Sequence, residues 1–194
     1  MKTTRQTLNG DYPEKLFHGT PDSLRSPERL ARLEVERVIE LSLKGISVNK
    51  LLDIGTGSGI FAEAFAKIVP SVMGIDISEK MLAYARNIIP NVQFQNAKME
   101  SLPFEDSAFD LIFFGTALHE GENLEQTLAE AKRCAKQRIA ALEWQYREEP
   151  FGPPLIHRLK PERLIHLAKQ LDFSTFEIVP LKEMMFYRFD IVKS

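Results

Sequence analysis

The sequence predicts an α/β fold: a doubly wound, mostly parallel sheet with helices on both faces, closed by a C-terminal antiparallel hairpin. Three observations predict it. Short apolar runs alternate with stretches of helical spacing along most of the chain, the pattern of parallel strands joined by helices. The stretch LLDIGTGSGIFAEAF, residues 51–65, passes from an apolar run through three alternating glycines into a helical repeat. Two final apolar runs, about 173–179 and 184–192, have no helix between them and so pair as a hairpin.

With 194 residues, the chain is long enough to bury a full core and reads as one domain. Residues 1–25 form a polar arm, 26–45 a leading helix and 48–194 the α/β core. Lys and Arg number 25 against 27 Asp and Glu, a net charge of −2, which implies no general attraction to nucleic acid or an anionic membrane. No apolar run approaches the ~20 residues of a membrane span. The N-terminal segment is polar, not a signal peptide, so a cytoplasmic protein is expected. The single cysteine, Cys134, excludes an intrachain disulfide and a cysteine-rich metal site, and His157 and His166 have no ligand-spaced partner. No metal is expected.

The elements follow in order. Ser26-Pro27-Glu28 is a helix start, with a hydroxyl cap, proline in the first position and an acid in the first turn. Leu30, Leu33, Val38 and Leu41 supply its apolar face, and Gly45 its stop. Leu51–Ile54 is the first strand; Phe61, Ala64, Phe65 and Ile68 place the next helix, ended by Pro70. Ser71–Asp76 is a second strand. Ser78 caps a helix that turns Met81, Leu82, Ala85 and Ile88 inward. Val92–Gln95 and Phe109–Phe114 are further strands, the latter a near-continuous apolar run broken only by Asp110, as a strand buried on both faces would be. Leu124, Leu128, Ala131 and Ala135 mark a helix whose basic residues, Lys132, Arg133 and Lys136, complement its C-terminal dipole. Arg138–Trp144 is the fifth strand, and Pro161-Glu162 opens the last helix.

Candidate chemistry gathers at strand ends. Asp53, Asp76, Gly115 and Trp144 all fall at or just past one, the edge where parallel sheets bind ligands. The glycine turn from Gly55 to Gly59 lets backbone approach a ligand with no Cβ in the way. Its spacing is not that of a dinucleotide fingerprint, because the position five after Gly55 is Ile60. Asp53, two residues before the turn, suits a ligand carrying an ammonium group better than a pyrophosphate. Asp76 can accept two hydrogen bonds from a ribose diol.

D-x-G-x-G-x-G at Asp53–Gly59, GIDIS at Gly74–Ser78 and ESLPFEDSAFDLIFFGTALHE at Glu100–Glu120 together resemble the motifs of class I S-adenosylmethionine-dependent methyltransferases, in the small type 11 branch. The resemblance implies a seven-stranded sheet in the order 3-2-1-4-5-7-6 with strand 7 antiparallel. It implies S-adenosyl-L-methionine as cofactor, with S-adenosyl-L-homocysteine as product. Asp53, Gly55, Thr56, Gly57 and Gly59 would then face its methionine moiety, Asp76 its ribose and Ile77 its adenine. Met99 and Glu100 would lie near the adenine edge, with Gly115 contacting the cofactor through its backbone. In the family's segment the acid that meets adenine falls here on Lys98, which cannot accept a bond from an amino group; Glu100, Asn96 or backbone contacts are left for that task.

His119 is the candidate catalytic base, placed like the first histidine of the family's A-L-H-H segment, with Glu120 in place of the second. Trp144 and Tyr146 after the fifth strand, and Phe17 and His18 in the arm, are candidates for the wall of an acceptor pocket. An N-P-P-Y type motif is missing at Phe114–Ala117, and no added acceptor domain is seen, so the partner expected is a small molecule rather than nucleic acid. Two competing readings are a non-catalytic cofactor-binding scaffold and a nicotinamide-dependent oxidoreductase domain; the latter lacks the third fingerprint glycine and a Tyr-x-x-x-Lys pair.

Overall fold

A computed structural model describes Phe17 and residues 19–191. Seven strands form one sheet in the order β3-β2-β1-β4-β5-β7-β6. They are β1 Lys50–Ile54, β2 Ser71–Asp76, β3 Gln93–Asn96, β4 Phe109–Gly115, β5 Ala135–Trp144, β6 Thr175–Pro180 and β7 Met184–Asp190. β3, β2, β1, β4 and β5 run parallel; β7 is antiparallel to both β5 and β6. The predicted fold and strand order are both present. Helices are α1 Pro21–Leu24, α2 Pro27–Leu33, α3 Val35–Leu43, α4 Ile60–Phe65, α5 Glu79–Ile88, α6 Leu124–Cys134 and α7 Pro161–Gln170.

The central strands read as apolar on both sides because they are buried on both sides. Along β4, Leu111 and Phe113 enter the core under α3 and α4, while Ile112 and Phe114 enter the core under α6 and α7. β5 repeats this with Ala140 and Leu142 on the first face and Ile139 and Ala141 on the second. The period of two thus divides one apolar run between two cores. Glu143 continues the second face, where nothing but a paired charge can be tolerated.

Several expected boundaries move. The leading helix is broken at Glu34, which takes a left-handed conformation with φ 45°. At about 100° per residue, an unbroken helix would turn Leu33 about 130° away from the face that buries Val38, Leu41 and Ser42. The break lets both segments bury their apolar residues, and the Glu34 carboxylate accepts the Lys182 N–H. Leu30 is left at the surface, 37% exposed. α4 stops at Phe65, so Ile68 is exposed and Val69 is buried in its place. Ile88 is likewise exposed, and Ile89, at the end of α5, fills the core. Ala135 opens β5 rather than closing α6.

Lys132 and Arg133 do sit in the last turn of α6, but they are used as struts. Lys132 donates to the Leu171 and Asp172 carbonyls. Arg133 donates to Glu130, Asp106 and the Leu102 and Phe104 carbonyls, tying the loop before β4 to the helix. Among the described residues, no helix is long and apolar enough to cross a membrane. Residues 1–16 and His18, including most of the predicted arm, lie outside the described residues.

Candidate active site

The sheet order reverses between β1 and β4, and a crevice opens at the carboxyl ends of that pair. A cavity of about 740 Å³ occupies it. One part is walled by the loop after β1 and the end of β2: Gly55, Thr56, Gly57, Asp76, Ile77 and Met81. The other is walled by Phe17, Arg29, Gly115, Thr116, His119, Glu120, Trp144 and His157.

The glycine turn is held from below. The Thr56 N–H donates to the Ile75 carbonyl at 2.9 Å, and the Gly59 N–H to the Thr56 carbonyl at 2.8 Å. At Gly55 the backbone has φ 65°, and a Cβ there would lie 2.3 Å from the Ala117 Cβ. Only glycine can pass between the loop and the segment after β4.

Asp76 closes the turn. Its Oδ2 accepts the Gly57 N–H at 2.9 Å and its Oδ1 the Ser78 N–H at 2.8 Å. An ionised carboxylate has about four acceptor positions, so lone pairs remain for a diol on the cavity side. Burial raises its pKa, against the pull of these N–H donors. Ile77, 44% exposed, offers an apolar edge beside it.

Asp53 stands beneath the turn, 1% exposed. The Thr56 hydroxyl donates to its Oδ2 at 2.7 Å, while Oδ1 is buried with no hydrogen-bond partner. Desolvation pushes its pKa up to about 7, despite the Thr56 hydrogen bond. Neither Asp53 nor Gly59 is among the residues that line the cavity, so the Asp53 carboxyl stands behind the turn rather than against a bound ligand.

The opposite wall holds an acid–histidine pair that sequence reading half found. His119 is 5% exposed, in a short 3-10 turn, Leu118–Glu120, that follows β4. Its Nδ1 lies 2.8 Å from Glu143 Oε2, and its backbone N–H donates to Glu143 Oε1 at 3.2 Å. The carboxylate therefore assigns the proton to Nδ1 and leaves the Nε2 lone pair as the base. Burial alone would lower the histidine's pKa; the Glu143 charge and hydrogen bond, with Glu120, outweigh it and raise the pKa. Glu120 Oε1 is 4.0 Å from His119 Nε2, and burial pushes Glu120 up to about 7. The signal for Glu143 is a lone acid in the apolar run Ile139–Trp144, which asks for a buried partner.

Of the expected pocket wall, Trp144 and Phe17 line the cavity. Tyr146 does not; it is half-exposed, with Lys160 Nζ 5.3 Å from its ring centre. Met99, Glu100 and Lys98 also stand outside the lining. Glu100 Oε1 accepts the Glu122 N–H, and the Asn96 side chain donates to the Ile77 carbonyl, so both side chains are committed to the scaffold. Among the described residues, no cluster of His, Cys, Asp and Glu is placed to hold a metal ion.

Comparison with known proteins places this architecture. A family profile described as a methyltransferase domain matches residues 52–138. A demethylmenaquinone methyltransferase of Chlorobaculum tepidum is 38% identical over 95 residues, 48% of this chain and 39% of that protein. A ubiquinone/menaquinone biosynthesis C-methyltransferase of Psychromonas ingrahamii is 27% identical over 195 residues, covering 93% of this chain and 72% of its own. The match spans less than half the length of the demethylmenaquinone methyltransferases. A solved S-adenosylmethionine-dependent methyltransferase of Aquifex aeolicus superposes with TM-score 0.79 and 25% identity, over 90% of this chain and all of that one. The profile covers the glycine turn, the Asp76 strand end and the 3-10 turn of His119, and the superposition with the solved structure takes in 90% of this chain. Residues 52–138 match the type 11 methyltransferase-domain family, and the chain is similar in sequence and fold to S-adenosylmethionine-dependent methyltransferases.

Proposed function

We propose that this chain transfers a methyl group to a small, flat organic acceptor, with His119 as general base and Glu143 as the residue that positions it. One observation carries the reading: a single cavity joins the glycine turn and Asp76 to the buried His119–Glu143 pair. S-adenosylmethionine, when bound, supplies an electrophilic methyl group on a sulfonium. The residues that would hold it are the Gly55–Gly57 backbone, Asp76 at the ribose, Ile77 at the adenine and Gly115 through its backbone. Asp53 supplies negative charge behind the turn.

The chain's own tasks are to orient the acceptor, exclude water and receive one proton. A hydroxyl-bearing acceptor becomes a strong nucleophile only as its proton leaves. His119 Nε2 accepts that proton, and the imidazolium formed is stabilised by Glu143 at 2.8 Å. Trp144, 3% exposed, and Phe17 give the acceptor apolar walls. The relatives named for demethylmenaquinone and ubiquinone/menaquinone support a ring-shaped acceptor.

The test is release of S-adenosylhomocysteine from a panel of hydroxylated ring acceptors. Wild-type protein should turn over at least one of them, and His119→Gln should cut the rate about 10²- to 10⁴-fold while still binding S-adenosylhomocysteine. A variant as fast as wild type would remove His119 from the mechanism.

A further inference from the structure

The inner arginines of this protein share a habit that one of them breaks. Arg25 pairs with Glu63, Arg32 with Glu183, Arg133 with Glu130, Arg138 with Asp190 and Arg188 with Glu177. Arg158 donates to three backbone carbonyls. Arg29 alone, among the half-buried and buried arginines described, has neither a carboxylate within 4 Å nor a carbonyl partner among the described residues. Its Nη2 donates to the Thr116 hydroxyl at 2.9 Å, and its Nε is buried with no acceptor.

The placement is built rather than incidental. The Ser26 hydroxyl caps α2 by accepting the Arg29 N–H at 3.3 Å, which fixes the helix start that aims this residue at the cavity. Thr116, its one partner, has φ 61°, a conformation that is costly for a β-branched residue. The guanidinium carbon lies 5.5 Å from the Trp144 ring centre and 5.9 Å from that of Phe17. A second polar group of the same cavity is also unsatisfied: His157, 8% exposed, has its Nε2 buried without a partner.

We infer that Arg29, with His157, is the anchor for an anionic oxygen on the acceptor, so that the acceptor is a flat unsaturated ring carrying an ionised carboxylate or acidic hydroxyl. The inference rests on the methyl-transfer reading above and names the acceptor's class. Burial works against the charge, and Glu120 and Glu143 favour it only at longer range. A half-buried guanidinium with no carboxylate in hydrogen-bond reach is costly, and an anionic oxygen supplies both the close charge and the missing hydrogen bond. The aromatic faces on either side suit a ring held by that oxygen. Glu120 lines the cavity and Glu143 stands behind it, but neither comes within 4 Å of the guanidinium, and Glu143 is taken by His119.

The test is calorimetric titration at pH 8 of protein saturated with S-adenosylhomocysteine. The probes are benzoate and 4-nitrophenolate, each against its neutral counterpart, benzamide or nitrobenzene. Wild type should bind at least one anion about tenfold or more tightly than its neutral counterpart, and Arg29→Gln should remove that preference while binding S-adenosylhomocysteine as wild type does. Arg29→Lys should restore part of the preference, because it returns the charge without the fork. Preference for benzoate would identify a carboxylate, and preference for nitrophenolate an acidic hydroxyl. Equal binding of anions and neutral counterparts by wild type would overturn the inference, and needs no variant to fold. Equal preference in wild type and Arg29→Gln would overturn it too. Failure of wild type to bind S-adenosylhomocysteine would instead remove the methyl-transfer reading.

Discussion

Asp53 and His119 both have raised pKa values, read out in stability for the first and in activity for the second, and each can be tested by itself. The Asp53 carboxyl titrates near 3.8 unfolded and about 7 folded. Between those values the folded protein holds the extra proton, so stability falls as pH rises from about 4 to about 7 and stays low above. Asp53→Asn removes the ionisation and should raise the stability of the ligand-free protein above pH 7, by about 4 kcal/mol at most, with little change near pH 4. Thermal unfolding at the two pH values checks this. The same variant should bind S-adenosylhomocysteine more weakly, because the charge behind the turn is gone. For His119 the raised pKa means the base is protonated until pH passes above its ordinary 6.5. The kcat/KM profile for methyl transfer should therefore rise through a limb above pH 6.5. Glu143→Gln should move that limb to lower pH, since burial then acts with less opposition; an unmoved limb would detach Glu143 from the base.

Elements show where local sequence decides and where packing does. Arg133, held by Glu130 of its own helix, links α6 to the loop between β3 and β4 through the Asp106 carboxylate and two carbonyls. Arg133→Ala should lower stability by about 1–2 kcal/mol and speed hydrogen exchange over residues 97–108, with slower effects elsewhere. Exchange unchanged in that loop would show the clasp to be idle. The strands were legible because period-two alternation and near-continuous apolar runs are set by burial on one or two faces, as in β1, β4 and β5. Caps were legible because Ser26 and Ser78 hydroxyls act within three residues of themselves. The break at Glu34 was not: it answers to the need to bury Leu33 and Val38 together, which no local pattern states. Ile68 is exposed because α4 ends at Phe65, before reaching it, whereas Ile88 closes α5 on the outer side and Ile89 turns into the core.

The whole molecule brings together residues far apart in sequence, and this is where reading the chain alone reached least far. The glycine turn, Asp76 and His119 were visible in motifs that run consecutively from β1 to the segment after β4. Arg29 sits 87 positions from Thr116, its hydrogen-bond partner, and nothing in Pro27-Glu28-Arg29-Leu30 distinguishes it from a solvated residue. Glu143 is 24 positions from His119, joined to it only because β5 lies beside β4. The order of the strands thus does what spacing cannot: it sets the cofactor edge of β1 and β2 against the acid–base edge of β4 and β5.

The central claim is that this crevice binds S-adenosylmethionine through Asp76. It is tested most directly by calorimetric titration of S-adenosylhomocysteine into wild type and Asp76→Ala, with NADH as the control ligand. Wild type should bind S-adenosylhomocysteine and not NADH, and at 100 times the dissociation constant should gain about 2.7 kcal/mol of stability. Asp76→Ala should lose about 2–4 kcal/mol of binding free energy, from the diol bonds and from the loosened Gly57 and Ser78 N–H groups. Absence of binding by wild type, or an affinity unchanged in Asp76→Ala, would contradict the account.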